Sequence, residues 1–534
     1  MRPEQKQQHN QIQEKRPECG GRASIKAPFL YFLYSLAALS VLPVSAQADW
    51  PMWLRDTTGA AKSSDGQIQQ PATAEAVWTS EAVIPPGRVA DSRRAASNEE
   101  SPHSGGFASP IVGDGVIYQF HYRPSGEVYD SNVVKKRLKT SQEALRKQRS
   151  AKQEGNLIFG HERWLIGATD ILTAIDAETG KTLWQTDLGD QGINWNMFSK
   201  GGPLNTPAYA DGRVFVVGTA GDLYAVDAET GRVLWQGDLG WRTRQMRDYR
   251  QGAEELRHIA PRFSRDFLSS VVVVDGVVLA NDQRRHNVNR GQGREYFYEP
   301  MNGYVAFDAE SGEQLWAEPD IAGDSTPAIW HHQGKNYLLG DHLFRLSLRD
   351  LRSGEVIWEV PFGHSAAYRP ALGEDILVIN ERAGRDDRDT QITGYRISLR
   401  GLEPLWKWDE DKSILGNLLI SRGKGYVLLN RDEDNLICFD PETGRSITSI
   451  DVPRLGGQQD NAFLLAYGDW LVMGNGKHNQ GFNFIPADPA QMSSGPQLLP
   501  TEHAIAYHVA LLPAFADGKL FVRTPRHIKA FRLE

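Results

Sequence analysis

A chain of 534 residues with 67 acidic and 59 basic side chains has a formal charge of −8, which gives it no overall pull toward nucleic acid. Apolar residues make up 40% of it and glycine is plentiful at 51, the composition of a folded, turn-rich chain rather than a disordered one. Its two cysteines, Cys19 and Cys438, cannot build a disulfide framework, so stability must come from packing.

At the amino end, residues 27–48 carry no charge and are rich in Leu, Phe and Tyr. Arg16, Arg22 and Lys26 precede them, and Ala46-Gln47-Ala48 closes them. This is the pattern of a secretory signal cleaved before Asp49, which predicts an exported bacterial protein, periplasmic or extracellular, with no membrane anchor once processed. The alternative is an uncleaved anchor, since a run of about 22 apolar residues is just long enough to span a bilayer. Cys19 stands ahead of the apolar run, not at its end, so it does not read as a lipid attachment site, and its loss with the signal leaves Cys438 alone. Residues 49–104 read as an irregular strap that opens DWPMWLRD. Within it residues 74–84, AEAVWTSEAVI, read as a solitary outer strand carrying Trp78.

From residue 105 onward one unit recurs. ILTAIDAETGKTLWQTDLG begins at Ile171, and DLYAVDAETGRVLWQGDLG begins at Asp222. Each copy alternates apolar and polar residues, breaks at Asp-Ala-Glu-Thr-Gly, and resumes as a strand bearing Trp184 or Trp235. The glycine suits a turn position with positive φ, while the Asp and Thr side chains can bond the turn's own amides, so the unit is a β-hairpin. Asp308, Gly312 and Trp316 repeat it, as do Asp350, Gly354 and Trp358. Worn copies end at Trp406, follow Phe482 and close the chain. Asp440, Thr443 and Gly444 keep the turn but have Thr448 in the Trp position and Cys438 in the place of Ala174.

The spacing Ala-x-Asp-x-x-Thr-Gly-x-x-x-Trp is intact at Ala174, Asp176, Gly180, Trp184 and again at Ala225, Asp227, Gly231, Trp235. With Ser for Thr it recurs at Ala306, Asp308, Gly312, Trp316. It resembles the tryptophan-docking motif of pyrroloquinoline-quinone (PQQ) type β-propellers, a family of quinoprotein dehydrogenases and non-catalytic relatives that includes BamB-like scaffolds. The Asp-Trp-Pro opening also resembles that of exported planctomycete and verrucomicrobial PQQ-like proteins. The resemblance implies that each indole lies flat on the next blade, where an Ala leaves room; it implies nothing about chemistry.

Inner strands are expected to start near Pro110, Pro207, Val271, Pro327, Pro370, Leu418, Phe463 and Pro513. The predicted fold is therefore all-β: an eight-bladed β-propeller of four-stranded antiparallel blades over residues 105–534. Residues 512–534 supply only three strands, so the strand at 74–84 is expected to complete the last blade. In an up-and-down blade, the link between the second and third strands and the link to the next blade emerge on one face, here the link face. The two tight turns emerge on the other, the turn face. Insertions at 123–160, 241–267 and 281–303 all fall on the link face. They hold 20 Lys and Arg against 11 Asp and Glu, and helices are expected at residues 140–152 and 245–259. Elaborated loops on a rigid frame are where binding resides, and a basic surface attracts anions.

Candidate ligand-binding residues follow from this. Asn194, Trp195, Asn196 and Lys200, in the link from blade 1 to blade 2, mix stacking and hydrogen-bonding groups suited to a planar ligand or sugar. Arg284, Arg285 and His286 could grip a carboxylate through the fork geometry of Arg. Ser109, Thr206, Ser270, Thr326, Arg369 and Asn417 precede inner strands and are expected to ring the mouth of the channel. The acidic stretches at 385–389 and 432–435 lack calcium-loop spacing, and His331 and His332 point apart on an extended chain, so no metal site is expected. No catalytic residue stands out and no cofactor is expected. The vicinal cysteines that the resemblance associates with many quinoprotein alcohol dehydrogenases are missing. The expected function is a monomeric, non-catalytic module that binds a protein or an anionic ligand such as a polysaccharide. The alternatives are a PQQ- and calcium-dependent oxidoreductase of alcohols or sugars, and a BamB-like scaffold for envelope assembly.

Overall fold

The computed structural model describes residues 50–84, less 64, 66–67, 69–72 and 74, and residues 108–533. Within the latter it omits 125–164, 196–205, 219–221, 240–269, 282–284, 291–292, 299–303, 319–325, 343–344, 362–369, 383–389, 409–413, 415–416, 430–432, 453–462, 475–480, 502–504 and 507–508. The predicted signal segment and both predicted helices lie outside the described residues, as do most of the three insertions. Among the described residues no helix is long and apolar enough to cross a membrane.

Eight four-stranded antiparallel sheets form an eight-bladed propeller. Blade 1 consists of Ile111–Gly113, Val116–Pro124, Leu165–Asp176 and Thr182–Trp195. The inner strands of blades 2 to 8 are Ala208–Ala210, Val272–Val274, Ala328–His332, Ala371–Gly373, Leu419–Ser421, Leu464–Tyr467 and Ala514–Ala516. Every one starts a single residue after the predicted position. Blade 8 takes three strands from the carboxy end and its outer strand, Ala76–Thr79, from the amino end, with Trp78 opposite Ala530. The ring is thus closed by the N-terminal strand.

Local chemistry explains the repetition. The turn between the first two strands is a two-residue hairpin, and Asp114-Gly115, Asp211-Gly212, Asp275-Gly276 and Asp517-Gly518 all have positive φ at both central positions. Second strands are covered on both faces by neighbouring blades, so they read as apolar runs; Val214, Phe215 and Val216 are fully buried. Outer strands are covered on one face only, which restores the alternation: Leu183 is 52% exposed beside the half-buried Trp184. A β-bulge interrupts the pairing of the outer strand beside the indole position in blades 1 to 6 and in blade 8.

The indoles lock one blade to the next. Trp184 Nε1 donates to the Ala228 carbonyl (3.0 Å), Trp235 to Ala309 (3.2 Å), Trp316 to Leu351 (3.1 Å), Trp358 to Ser398 (2.8 Å) and Trp406 to Pro441 (2.8 Å). Trp78, from the ring-closing strand, makes the same bond to Ala177 of blade 1 (3.3 Å). Between blades 6 and 7, where Thr448 replaces the Trp, the Tyr426 hydroxyl donates to Ala487 (2.7 Å). For Trp78, Trp184, Trp235, Trp316 and Trp406 the space for the ring comes from a turn glycine of the next blade rather than from the strand alanine. A Cβ on Gly180 would lie 2.6 Å from Trp78, one on Gly231 2.7 Å from Trp184, and one on Gly312 2.6 Å from Trp235. Ala174, Ala225 and Ala306 are instead the cross-strand partners of Trp184, Trp235 and Trp316 within their own blades.

The strap lies inside the ring. Trp50 exchanges backbone bonds with Val112 of blade 1 (3.0 and 2.9 Å), and the Pro51 carbonyl accepts from Tyr209 of blade 2 (2.7 Å). Thr57 Oγ1 accepts from Ile329 of blade 4, the Gly59 carbonyl from Ala466 of blade 7, and the Ala61 amide donates to Ser421 Oγ of blade 6. Leu54, Arg55 and Thr57 take left-handed φ values of 51°, 63° and 73°, strain that persists only where the surroundings over-determine it.

Candidate functional site

The three insertions leave from strand ends on one face: after Pro124, after Asp238 and after Asn281. Asn194 and Trp195 belong to a longer outer strand than predicted, Thr182–Trp195, where their backbones pair with Ile166 and Leu165. They therefore extend the blade 1 hairpin instead of forming the link to blade 2. Arg285 and His286 lie in a separate two-stranded hairpin, Arg285–Arg290 with Gly293–Tyr298, opposite Tyr298 and Phe297. The side chains of these four residues, and the whole of Asn196, Lys200, Arg284 and Arg369, lie outside the described residues.

The expected polar ring at the channel mouth proves to be structural. Ser109, Thr206, Ser270 and Thr326 are each at most 3% exposed and form a relay around the ring. The Leu512 amide donates to Ser109 Oγ (3.0 Å), the Ser109 amide to Thr206 Oγ1 (3.1 Å), the Thr206 amide to Ser270 Oγ (3.1 Å) and the Ser270 amide to Thr326 Oγ1 (2.9 Å). Asn417 does the same for blades 6 and 7 through both the amide and the carbonyl of Leu464. These hydroxyls satisfy backbone amides that no strand partner reaches, which is why small polar residues recur just before the inner strands.

Sequence reasoning missed a buried polar cluster where blade 8 meets blade 1. Gln119 and His121 of the second strand of blade 1 and Arg523 of the second strand of blade 8 are each at most 2% exposed, toward the link-face end. Gln119 Nε2 (3.0 Å) and Arg523 Nη1 (3.2 Å) both donate to the Ala108 carbonyl. Burial, reinforced by the neighbouring Arg523, holds the His121 imidazole down at about 3, so it is neutral at physiological pH. Burial also lowers Arg523, to about 10, which leaves it a cation. A fixed cation beside a neutral imidazole and an amide can orient the groups around it. The signal was available: Tyr118-Gln119-Phe120-His121 puts polar residues on a strand whose two faces are both covered.

On the turn face, several side chains hold adjacent blades together. Asn336 donates to Asp275 (2.9 Å), His332 bonds Asp375 (2.9 Å), Arg352 pairs with Asp308 (2.8 Å), and Tyr209–Asp114, Arg422–Asp469 and Lys519–Glu178 make further ties between adjacent blades. His331 bonds Asn336 instead, so the adjacent histidines serve separate partners. In the docking turns the Asp carboxylate accepts the amide and hydroxyl of the Thr or Ser three residues on; in Asp176 these are 2.7 and 2.6 Å. These bonds depress the carboxylates. Asp308 falls to about 2 through the Ser311 amide and Arg352, and Asp350 to about 2 through Lys335 and the Ser353 amide.

Residues 168–450 match the family model for outer membrane protein assembly factor BamB, which is more than half of the chain. The chain belongs to this BamB-type family of PQQ-repeat propellers. BamB of Vibrio cholerae serotype O1 is 26% identical over 253 residues, covering 43% of this chain and 60% of the relative, so the chain spans less than two thirds of that BamB's length. BamB of Burkholderia pseudomallei is 23% identical over 336 residues, 55% of this chain and 77% of the relative. Among solved structures, a europium-containing methanol dehydrogenase covers 91% of this chain and 98% of its own at 11% identity and a TM-score of 0.41.

For the cofactor of the quinoprotein branch, a cradle would require converging carboxylate and amide oxygens. Among the described residues no three His, Cys, Asp or Glu side chains converge on a common point, and the hydroxyls before the inner strands are spent between blades.

Proposed function

We propose that this chain is an exported, non-catalytic propeller that engages a protein partner through its link face, an envelope-assembly scaffold of the BamB kind. The family match over residues 168–450, with two relatives named as outer membrane protein assembly factors, carries the reading. Two features support the choice of face. The three longest insertions, rich in Lys and Arg, all leave from strand ends on that side, and several polar side chains of the opposite side are occupied in ties between blades. Export follows from the apolar run at 27–48 and its basic flank.

The test is genetic and biochemical. In cells lacking this chain, the abundance of folded outer-membrane proteins should fall. The full chain should restore it, whereas a chain with residues 125–160 replaced by a short turn should not. Unchanged abundance on deletion would remove the scaffold reading. Dye-linked oxidation of an alcohol by purified protein given PQQ and calcium would favour the oxidoreductase alternative. Binding to an anionic polysaccharide that weakens as salt rises would favour a glycan ligand.

A further inference from the structure

We infer that the strap is an axial stopper: it closes the central channel at the turn face, and any guest on the axis must enter and leave by the link face. The inference does not rest on the proposed function, because a channel sealed at one end is sealed whatever the other face binds.

The geometry is a matter of blade numbers. Pro51 bonds Tyr209 of blade 2, and Ala61 bonds Ser421 of blade 6. In an eight-bladed ring these blades stand diametrically opposite, so the nine residues between Pro51 and Ala61 must cross the axis. On the way they touch blade 4 through Thr57 and blade 7 through Gly59. Met52 packs among Ala208, Val272 and Ile329 of blades 2 to 4, while Leu54 packs with Leu465, Phe515 and Val112 of blades 7, 8 and 1. The level is equally well defined. Inner strands run from link face to turn face, and the strap bonds fall on their second or third residues: Val112, Tyr209, Ile329, Ser421 and Ala466. The Gly468 amide, in the first turn of blade 7, donates to Asp65 Oδ2 (3.0 Å).

The stopper is locked by its own chemistry. Arg55 forms an ion pair with Asp65 in which the two side chains are only 5% and 0% exposed, and Asp65 also accepts the Lys62 amide (2.8 Å). The guanidinium lies over the rings of Trp50 (5.5 Å) and Tyr467 (6.0 Å), tying the strap to blade 7. Removing one member of such a buried pair leaves an uncompensated charge and should unseat the strap.

Thiol labelling tests this, with Cys438 as a built-in control. That thiol is fully buried and pushed up to about 11 by its burial, so it reacts only when the ring opens globally. In a Ser421→Cys chain, peptide-mapped maleimide labelling at position 421 should be slow. Adding Asp65→Asn should speed it at least tenfold while Cys438 stays protected, and Arg55→Met with Asp65→Leu should restore slow labelling. Rapid labelling in the Ser421→Cys chain, or a rate that Asp65→Asn leaves untouched, overturns the stopper. If Asp65→Asn unfolds the protein, hydrogen exchange in the unaltered chain decides: the Ala61, Ile329 and Ala466 amides should be protected together, and free exchange at all three overturns the proposal.

Discussion

Seam 1/2 and seam 8/1 use the same lock but differ in what surrounds it. In both, an indole donates to the carbonyl after a turn Asp and rests on that turn's glycine: Trp184 on Ala228 and Gly231, Trp78 on Ala177 and Gly180. Around the first, Tyr118 stacks on Tyr209 at 5.6 Å and the polar ties come from hydroxyls, Tyr209 to Asp114 and Thr186 to the Gly231 carbonyl. Around the second lie Arg523, Gln119 and His121, the Lys519–Glu178 pair, and a bond from the Thr182 amide to Glu81 (3.2 Å). Blades 1 and 2 are neighbours in the chain, whereas the bonds across seam 8/1 span from 99 residues, Trp78 to Ala177, to 415, Arg523 to Ala108, at a greater cost in loop-closure entropy. Stacked rings and hydroxyl bonds suffice where the chain itself supplies proximity. The seam that closes the ring adds a buried cation, Arg523, and an ion pair, Lys519–Glu178.

The comparison can be broken at several strengths. Deleting residues 50–84 removes the outer strand of blade 8 and the stopper together. The unfolding midpoint should then fall by roughly 10 °C or more, since each kcal/mol lost moves a large domain by about 2–4 °C. An unchanged melting curve would mean that the ring is closed by something else. Next in size, Trp78→Ala and Trp184→Ala should each cost about 3 kcal/mol, near the low end for Trp truncation because both indoles are half-buried. They should part company in hydrogen exchange: Trp78→Ala should speed exchange in Ile528–Arg532, and Trp184→Ala should not. Equal effects on that strand would erase the distinction between the seams.

A smaller change sharpens it. Arg523→Met keeps the volume and removes the bond to Ala108, for a loss of about 2 kcal/mol by denaturant unfolding. An equally costly change at Val217, which ends the second strand of blade 2, would show that the polar cluster gives seam 8/1 nothing special. The smallest effect is that of acid. Asp308 and Asp350 have folded values of about 2 against 3.8 ordinarily, so the unfolded chain takes up protons first as pH falls. Their contribution is present in full above about pH 4 and drains away toward pH 2. Ser311→Ala should shrink that acid dependence, as measured by melting between pH 2 and 5.

Much of the ring could be read from the residues alone, because each blade writes its own boundaries. The Asp-x-x-Thr-Gly turn, the Trp after it and the Pro before the next inner strand are local chemistry, so all eight inner strands came out one residue from their predicted starts. Even the ring-closing strand was legible, since a blade with three strands demands a fourth. What failed to show was set by contacts distant in sequence. The axial course of the strap depends on bonds from Pro51 to blade 2 and from Ala61 to blade 6, and no periodicity announces these. Ser109, Thr206 and Ser270 read equally well as channel lining or as ties between blades, and only coordinates choose between them. Of the candidate ligand residues, Arg284, Arg285 and His286 stand in an insertion, where no repeat constrains the chain.

The bulge beside each indole also has a bearing on how the molecule behaves in a crowded compartment. A wheel of this kind turns a rim of strand edges outward, and straight edges would invite other chains to add to them. With the ladder interrupted in seven of the eight rim strands, the amides and carbonyls on the outer side lose the even spacing that a foreign strand needs. The kink that aims the indole inward thus also keeps the periphery from adhering to its neighbours.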